Sequence, residues 1–254
     1  MRNVLILGGT TEARQLAGLL AGRADIKAVL SLAGRTATPA AQPVPVRIGG
    51  FGGVEGLADY LWAEHVDALI DATHPYAAII SQHAAEATAS VGVPIVALRR
   101  PAWSAVAGDR WSEVDDMSGA VAALGKEPKR VFLAIGRKEV VAFTEAPQHH
   151  YLIRSVDPID PPLNVPNAAY ILSRGPFPES DEKALLSEHR IDTIVAKNSG
   201  GSATYGKIAA ARTLGLNVIM LRRPHLPDIP AVNDAHGVVA WLDHQWPPST
   251  KRGV

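Results

Sequence analysis

Two hydrophobic patterns alternate along the chain. Unbroken runs of Val, Ile, Leu and Ala at 3–8, 26–32, 44–48, 67–71 and 93–98 have the length of strands buried on both faces. Between several of them, at 11–22, 53–65 and 76–91, apolar positions recur at helical spacing in Ala-rich segments. Similar strands follow at 129–135, 149–155, 191–196 and 217–221, with helices predicted near 180–189 and 204–214. Continuous apolar strands separated by helices predict an α/β fold with mainly parallel sheets. The proline-rich stretch 157–168 (DPIDPPLNVPNA) reads as an ordered surface loop.

The halves repeat each other. VGVPIVALRRPAW, from Val91, matches LGLNVIMLRRPHL, from Leu214, and VDDMSGAVAAL, from Val114, matches VNDAHGVVAWL, from Val232. The opening LGGTTEA has a fainter echo in AIGRKEV, from Ala134, where Gly136 and Glu139 stand in place of Gly9 and Glu12. Three matches in one order imply a single α/β unit used twice, with a boundary near residue 126. The expected architecture is two similar Rossmann-like domains, 1–126 and 127–254, with an interdomain cleft, because α/β domains bind ligands at the carboxyl ends of their strands.

Composition narrows the class without changing the fold. The 254 residues are 47% hydrophobic, enough for a sizeable core, and carry 25 basic against 25 acidic side chains. A chain-wide basic field for nucleic acid or an anionic membrane is therefore not expected. No apolar stretch approaches the ~18 residues that span a bilayer, and the first strand follows Met1 too closely for a signal peptide. Zero cysteines exclude disulfides and thiolate metal sites, and the histidines, His149–His150 included, are not at metal-ligand spacings. The expectation is a cytoplasmic globular protein without a metal, for which a monomer would suffice.

Candidate chemistry starts at VLILGGTTEARQL. Gly8 and Gly9 end the first strand and Thr10–Thr11 begin a helix, whose N-terminus would offer free N–H groups and partial positive charge to a diphosphate. Against the dinucleotide fingerprint Gly8 fills the first glycine position, Thr10 replaces the second, and Ala13 fills the third. The Thr hydroxyls are expected to cap the helix and to donate to phosphate oxygens, and Glu12 to face the helix dipole or a nucleotide hydroxyl. After the second strand, in VLSLAGRTAT, no carboxylate occurs between Asp25 and Glu55, while Ser31, Gly34 and Arg35 stand at the strand end. An acid there would repel a 2′-phosphate, whereas a hydroxyl and a guanidinium would bind it, so NADP(H) is favoured over NAD(H).

DATHPYA ends the strand at 67–71 and puts Thr73 and His74 at the rim of the cofactor site; His74 is a proton donor, an anion contact, or a helix-entry residue packed locally. The equivalent strand end in the second half, AKNSGGSATYGK, brings Lys197, Asn198, Ser199, Gly200 and Gly201. Gly136–Arg137–Lys138 replaces the first half's Gly-Gly-Thr-Thr with two cations, which suits an anion other than the dinucleotide. Arg99–Arg100 and Arg222–Arg223, each followed by proline, repeat at strand ends. These cations imply a small or medium polyanionic substrate.

Taken together and in order, GGTTEAR, DATHPYA, RRPAW, IGRKE, KNSGG with its lysine-bearing helix, and LRRP resemble the precorrin-6A reductase family of cobalamin biosynthesis, over about residues 4 to 224. The resemblance implies an oxidoreductase that uses NADPH to reduce one double bond of the precorrin-6A macrocycle, giving precorrin-6B, or acts on the cobalt-loaded ring. It also implies a polycarboxylate tetrapyrrole held by Arg137, Lys138, Lys197 and arginines of the RRP turns, with His74 and Lys197 as candidate proton donors. A short-chain reductase or epimerase is the rival enzyme, but none of the five tyrosines stands four residues before a lysine; Tyr205 precedes Lys207 by two. A non-catalytic NADP(H) sensor is the rival outside catalysis, and the cations of the second half argue against it.

Overall fold

The computed structural model describes residues 1–34 and 40–246. Among them are two sheets of six strands, every pairing parallel. The first part of the chain runs β1 (Arg2–Leu7), α1 (Thr11–Ala21), β2 (Ile26–Leu32), β3 (Val46–Ile48), α2 (Val54–Ala63), β4 (Ala68–Asp71), α3 (Ala78–Val91) and β5 (Ile95–Leu98). Then come β6 (Arg110–Val114), α4 (Met117–Leu124), β7 (Arg130–Ala134), a 3₁₀ turn (Val140–Glu145), β8 (His150–Ser155) and β9 (Ala168–Leu172). The chain ends with α5 (Glu179–Glu188), β10 (Thr193–Lys197), α6 (Gly206–Leu214), β11 (Asn217–Leu221), β12 (Ala231–Val232) and α7 (Ala235–Gln245).

The sheets are ordered β12-β5-β4-β1-β2-β3 and β6-β11-β10-β7-β8-β9. Matching β1 to β7, β2 to β8 and so on gives each the doubly wound order 3-2-1-4-5-6 of a dinucleotide-binding fold. The sixth strand of each, however, comes from the other repeat. The compact units are accordingly Met1–Arg100 with His225–Val254, and Pro101–Pro224, and the expected boundary near 126 is not where the contacts divide. The repeat is real, but each copy gives its last strand and helix to the other copy's sheet. After Arg100 and Arg223 a proline follows, and the chain carries no helix before the next strand, so it cannot make the helical crossover that a parallel neighbour in the same sheet needs.

The exchanged pieces explain what the repeats share. Asp116 caps α4 by accepting from Gly119 N, and Asp234 caps α7 by accepting from Gly237 N at 2.8 Å. A Cβ on Gly237 would fall 2.9 Å from Cβ of Val232, and one on Gly119 would fall 3.3 Å from that of Val114, so glycine is kept where the helix folds back over its strand.

In unit 1 the sheet is covered on both faces. Ala13, Leu16, Ala17 and Leu20 of α1, at helical spacing, pack with Val238 and Leu242 of α7 on Val4, Ile6, Leu30 and Ile70. Leu57 and Leu61 of α2 and Ala84 and Ala87 of α3 cover Leu5, Leu7 and Leu69 on the other side. In unit 2, Leu186 of α5 and Ile208 and Ala211 of α6 pack on Phe132, Leu152 and Ile194. The 157–168 loop is tied down as expected: Leu163 is buried and its N–H donates to Tyr170 Oη at 2.8 Å. No helix among the described residues is long and apolar enough to cross a membrane.

Candidate functional site

The carboxyl edge of the unit 1 sheet gathers the first set of predicted residues. Gly8 donates its N–H to Ser31 O at 2.9 Å. A Cβ on Gly8 would lie 2.5 Å from Leu30 Cδ1, so a larger residue would force the buried Leu30 side chain to move where β1, β2 and α1 converge. Gly9, at φ +114°, takes a turn closed to other residues. Thr10 caps α1, accepting from Ala13 N at 3.0 Å, and donates its own hydroxyl proton to Ala72 O at 2.9 Å. That second bond ties the Thr10 hydroxyl, expected to donate to phosphate, to the strand β4 turn. The amides of Thr11 and Glu12 have no acceptor among the described residues, as is usual for the first turn of a helix, and such a helix end can receive an anion. Glu12 is held in an ion pair by Arg100, which neutralises the carboxylate beside those amides.

The strand β4 turn adds a group not singled out from sequence. Asp71, buried at the end of β4, accepts from Thr73 Oγ1 at 2.7 Å and from Thr73 N at 3.2 Å, and so fixes Thr73. His74 Nδ1 accepts from Tyr76 N at 3.3 Å, with the two rings 5.7 Å apart. With Nδ1 as an acceptor, a neutral ring carries its proton on Nε2. Arg99, from the repeated arginine pair, donates to Pro227 O at 2.9 Å, while its Nε is buried with no partner among the described residues. Thr10, Glu12, Asp71, Thr73, His74 and Arg99 line one small pocket. Ser31 lies at the end of β2 beside Gly8, Gly34 follows at φ +70°, and Arg35 lies outside the described residues. The cradle at Gly8, the two uncommitted amides and the orphaned Arg99 Nε fit a dinucleotide.

The equivalent edge of unit 2 is built differently. Glu139 accepts from Gly136 N at 2.9 Å and pairs with Lys197, so Lys197 enters the site as half of an ion pair. Arg137 and Lys138 are exposed in the turn after β7. Asn198, buried after β10, spans Trp103: its Oδ1 accepts from Trp103 N and its Nδ2 donates to Trp103 O, each at 2.8 Å. Trp103 Nε1 donates to Gly201 O at 2.8 Å. Gly200 and Gly201 take φ +69° and +70°, and a Cβ on Gly200 would strike Pro101 O at 2.2 Å. The side chain of Asn198 and the glycine pair therefore hold the segment that enters unit 2, and Ser199 sits between them.

Under this loop lies a buried charged cluster. Arg154 grips Glu182 through both carboxylate oxygens and stacks on Phe177, 3.7 Å from the ring centre. Lys207, at the start of α6, donates to Thr204 O at 2.6 Å and lies 5.0 Å from the Trp103 ring centre. Burial, then the Arg154 charge, push the Lys207 ammonium down to about 7 against the pull of Glu182. As pH falls from the ordinary lysine value of 10.5 to about 7, the unfolded chain takes up a proton that the folded chain refuses. Stability is lost across that window, and the loss is complete below it. Lys207→Met is therefore expected to stabilise the protein by about 1–2 kcal/mol near pH 6, with the gain shrinking as pH rises towards 10; thermal melts at both ends of the range check it.

Sequence reasoning missed Asp71, Trp103 and Lys207, although all three stand inside motifs it used. Trp103 belongs to the repeated RRP segment, and Lys207 interrupts an otherwise apolar helix face, a signal of a buried cation.

The sequence profile of the family "Precorrin-6x reductase CbiJ/CobK" matches residues 3–243. The chain is 56% identical over 246 residues to a precorrin-6A reductase of a Sinorhizobium species, covering 97% of this chain and 94% of the relative. It is 51% identical over 255 residues to the precorrin-6A reductase of Rhodobacter capsulatus, covering all of both chains. A cobalt-precorrin-6A reductase of Priestia megaterium is 28% identical, over 88% of this chain and 91% of the relative. A solved structure titled CobK precorrin-6A reductase superposes with a TM-score of 0.93 at 50% identity, covering all of both chains.

Proposed function

The chain belongs to the precorrin-6x reductase CbiJ/CobK family, and from that premise we propose that it reduces metal-free precorrin-6A to precorrin-6B with NADPH bound at the carboxyl edge of unit 1. It is an oxidoreductase of cobalamin biosynthesis with a nicotinamide cofactor, which sets aside the epimerase and sensor readings. The metal-free ring is favoured because the relatives at 56% and 51% identity are named for precorrin-6A, whereas the cobalt-precorrin enzyme of P. megaterium stands at 28%. A cytoplasmic location and action as a monomer belong to the same proposal.

The observation that carries this reading is the turn from Gly8 to Glu12. Gly8 and Gly9 bring backbone close to the diphosphate, and the Thr11 and Glu12 amides donate to it. Thr10 acts by shaping the turn. Thr73, fixed by Asp71, and His74 face the same pocket. When bound, the nicotinamide supplies hydride to the macrocycle. The chain's own residues orient the ring and deliver the balancing proton, which we assign to His74 Nε2–H. Arg137 and Lys138 meet substrate carboxylates at the edge of unit 2. Lys197, with Glu139, and the Asn198–Gly201 turn shape that edge. Ion pairing to Glu139 makes Lys197 the lesser candidate for the proton.

Ser31, Gly34 and Arg35 would receive the adenosine 2′-phosphate. Arg35→Ala should weaken NADPH binding by about tenfold or more while leaving NADH within twofold, because only the former carries the extra phosphate. Fluorescence titration with both cofactors checks this, and equal losses would place the phosphate elsewhere.

A further inference from the structure

Arg47 stands beside Ser31 on the neighbouring strand. Leu7, Ser31 and Arg47 are in register across β1, β2 and β3, so the Arg47 side chain rises from the same row as the end of the diphosphate turn. Its Nη1 reaches Ser31 Oγ at 3.4 Å and Gly49 O at 2.7 Å, and its Nη2 reaches Gly50 O at 2.7 Å. The guanidinium lies on Phe51, 3.8 Å from the ring centre, and 5.1 Å from that of Tyr60. These contacts hold the plane of the group and pin the glycine-rich loop Gly49–Gly53.

They do not neutralise its charge. Every partner is a neutral oxygen or an aromatic face, and Arg47 makes no ion pair among the described residues, whereas Arg100, Arg154 and Arg212 each face a carboxylate. The fork of Nε–H with the second Nη2–H has no acceptor among the described residues, which is the geometry that takes two oxygens of a phosphate. The loop it pins is also bare on its open side. Gly49, Gly52 and Gly53 have positive φ, but Gly50 does not, and a Cβ there would meet nothing within 4 Å. The protein does not itself require glycine at Gly50, and the bare backbone there leaves room for a ligand to come close.

We infer that Arg47, with Ser31, is a specificity-determining contact for the 2′-phosphate of the cofactor, with the Gly49–Gly53 loop as the wall of that subsite. The inference rests on the NADPH reading above and adds to it a residue on a different strand from Arg35. The physical reason is placement: a residue at the end of the second strand meets the ribose 2′ position in this fold, and a neighbouring arginine accommodates a phosphate there.

The test is calorimetric titration of the full chain with NADP⁺, NAD⁺, 2′,5′-ADP and 5′-AMP, for the unmodified protein, Arg47→Met and Arg47→Lys. Arg47→Met keeps an apolar stem over Phe51 and removes the charge. It should weaken NADP⁺ and 2′,5′-ADP by roughly 10- to 100-fold and leave NAD⁺ and 5′-AMP within twofold. Arg47→Lys, with a point charge but no fork, should fall between. If the unmodified protein prefers NADP⁺ and Arg47→Met keeps that preference, the inference is wrong and the NADPH reading stands. Equal losses for all four ligands would make Arg47 a purely structural clamp on the loop, which also overturns it. If the unmodified protein does not distinguish NADP⁺ from NAD⁺, the NADPH reading fails and takes this one with it. Should Arg47→Met not fold, the ratio of NADP⁺ to NAD⁺ affinity in Arg47→Lys decides, an unchanged ratio counting against the inference.

Discussion

His74→Asn is expected to lower kcat for precorrin-6A reduction by roughly 10²- to 10⁴-fold, with NADPH affinity changed less than twofold. Two features of the site lead to this. The Tyr76 N–H donates to His74 Nδ1, which orients the ring and leaves Nε2 as the nitrogen that carries the proton of the neutral form. The ring also lines the pocket formed with Thr10, Glu12 and Thr73, where the diphosphate turn would hold the cofactor. A hydride delivered without a proton leaves the reduced macrocycle with unbalanced charge, so a fixed donor beside the reacting rings acts in the rate and not in cofactor binding. Asn keeps a polar side chain near Tyr76 N but cannot lose and regain a proton. Single-turnover rates measured alongside NADPH titration separate the two quantities. A kcat within threefold of the unmodified enzyme would assign the proton to solvent or to a substrate group, and His74 would then be a helix-entry residue.

The largest expected loss of stability comes from the other unit. Glu182→Leu should destabilise unit 2 by about 3–5 kcal/mol, because it leaves the Arg154 guanidinium buried without its counter-ion and Lys207 with a cation as its nearest charge. Glu182 is 2% exposed and Arg154 9%, so water cannot replace the lost carboxylate. The melting transition should fall by roughly 10 °C, and the fall should be smaller in Glu182→Leu/Arg154→Met, where both charges go together. If the single variant melted with the unmodified protein, the Arg154–Glu182 pair would not be the buried contact described.

The sheet strands most easily read from sequence are those buried on both faces, such as VLIL of β1 and TIVA of β10, because their apolar runs are unbroken. β6 (RWSEV) has no such run, and β12 is two residues long, so neither announces itself. The repeat was legible, but the exchange was not. β6 beside β11 and β12 beside β5 are equivalent pairings, and a sequence pattern that suits one copy's edge suits the other's. The diphosphate turn could be read because strand, glycines and helix cap lie within a few consecutive residues. Asn198 and Gly200 looked like ligand groups because bare backbone and an amide advertise a close approach without saying by what; the approach is made by Trp103 and Pro101, nearly a hundred residues away in sequence. Arg47 was hidden for the converse reason, since its place beside Ser31 depends on strand register and not on spacing.

Anaerobic turnover of the purified chain with precorrin-6A tests the central claim most directly, with NADPH oxidation and the tetrapyrrole spectrum followed together and NADH as control. One NADPH is expected to be consumed per macrocycle converted, faster than with NADH. NADPH that binds but is not consumed, with either the metal-free or the cobalt-loaded ring, would contradict it.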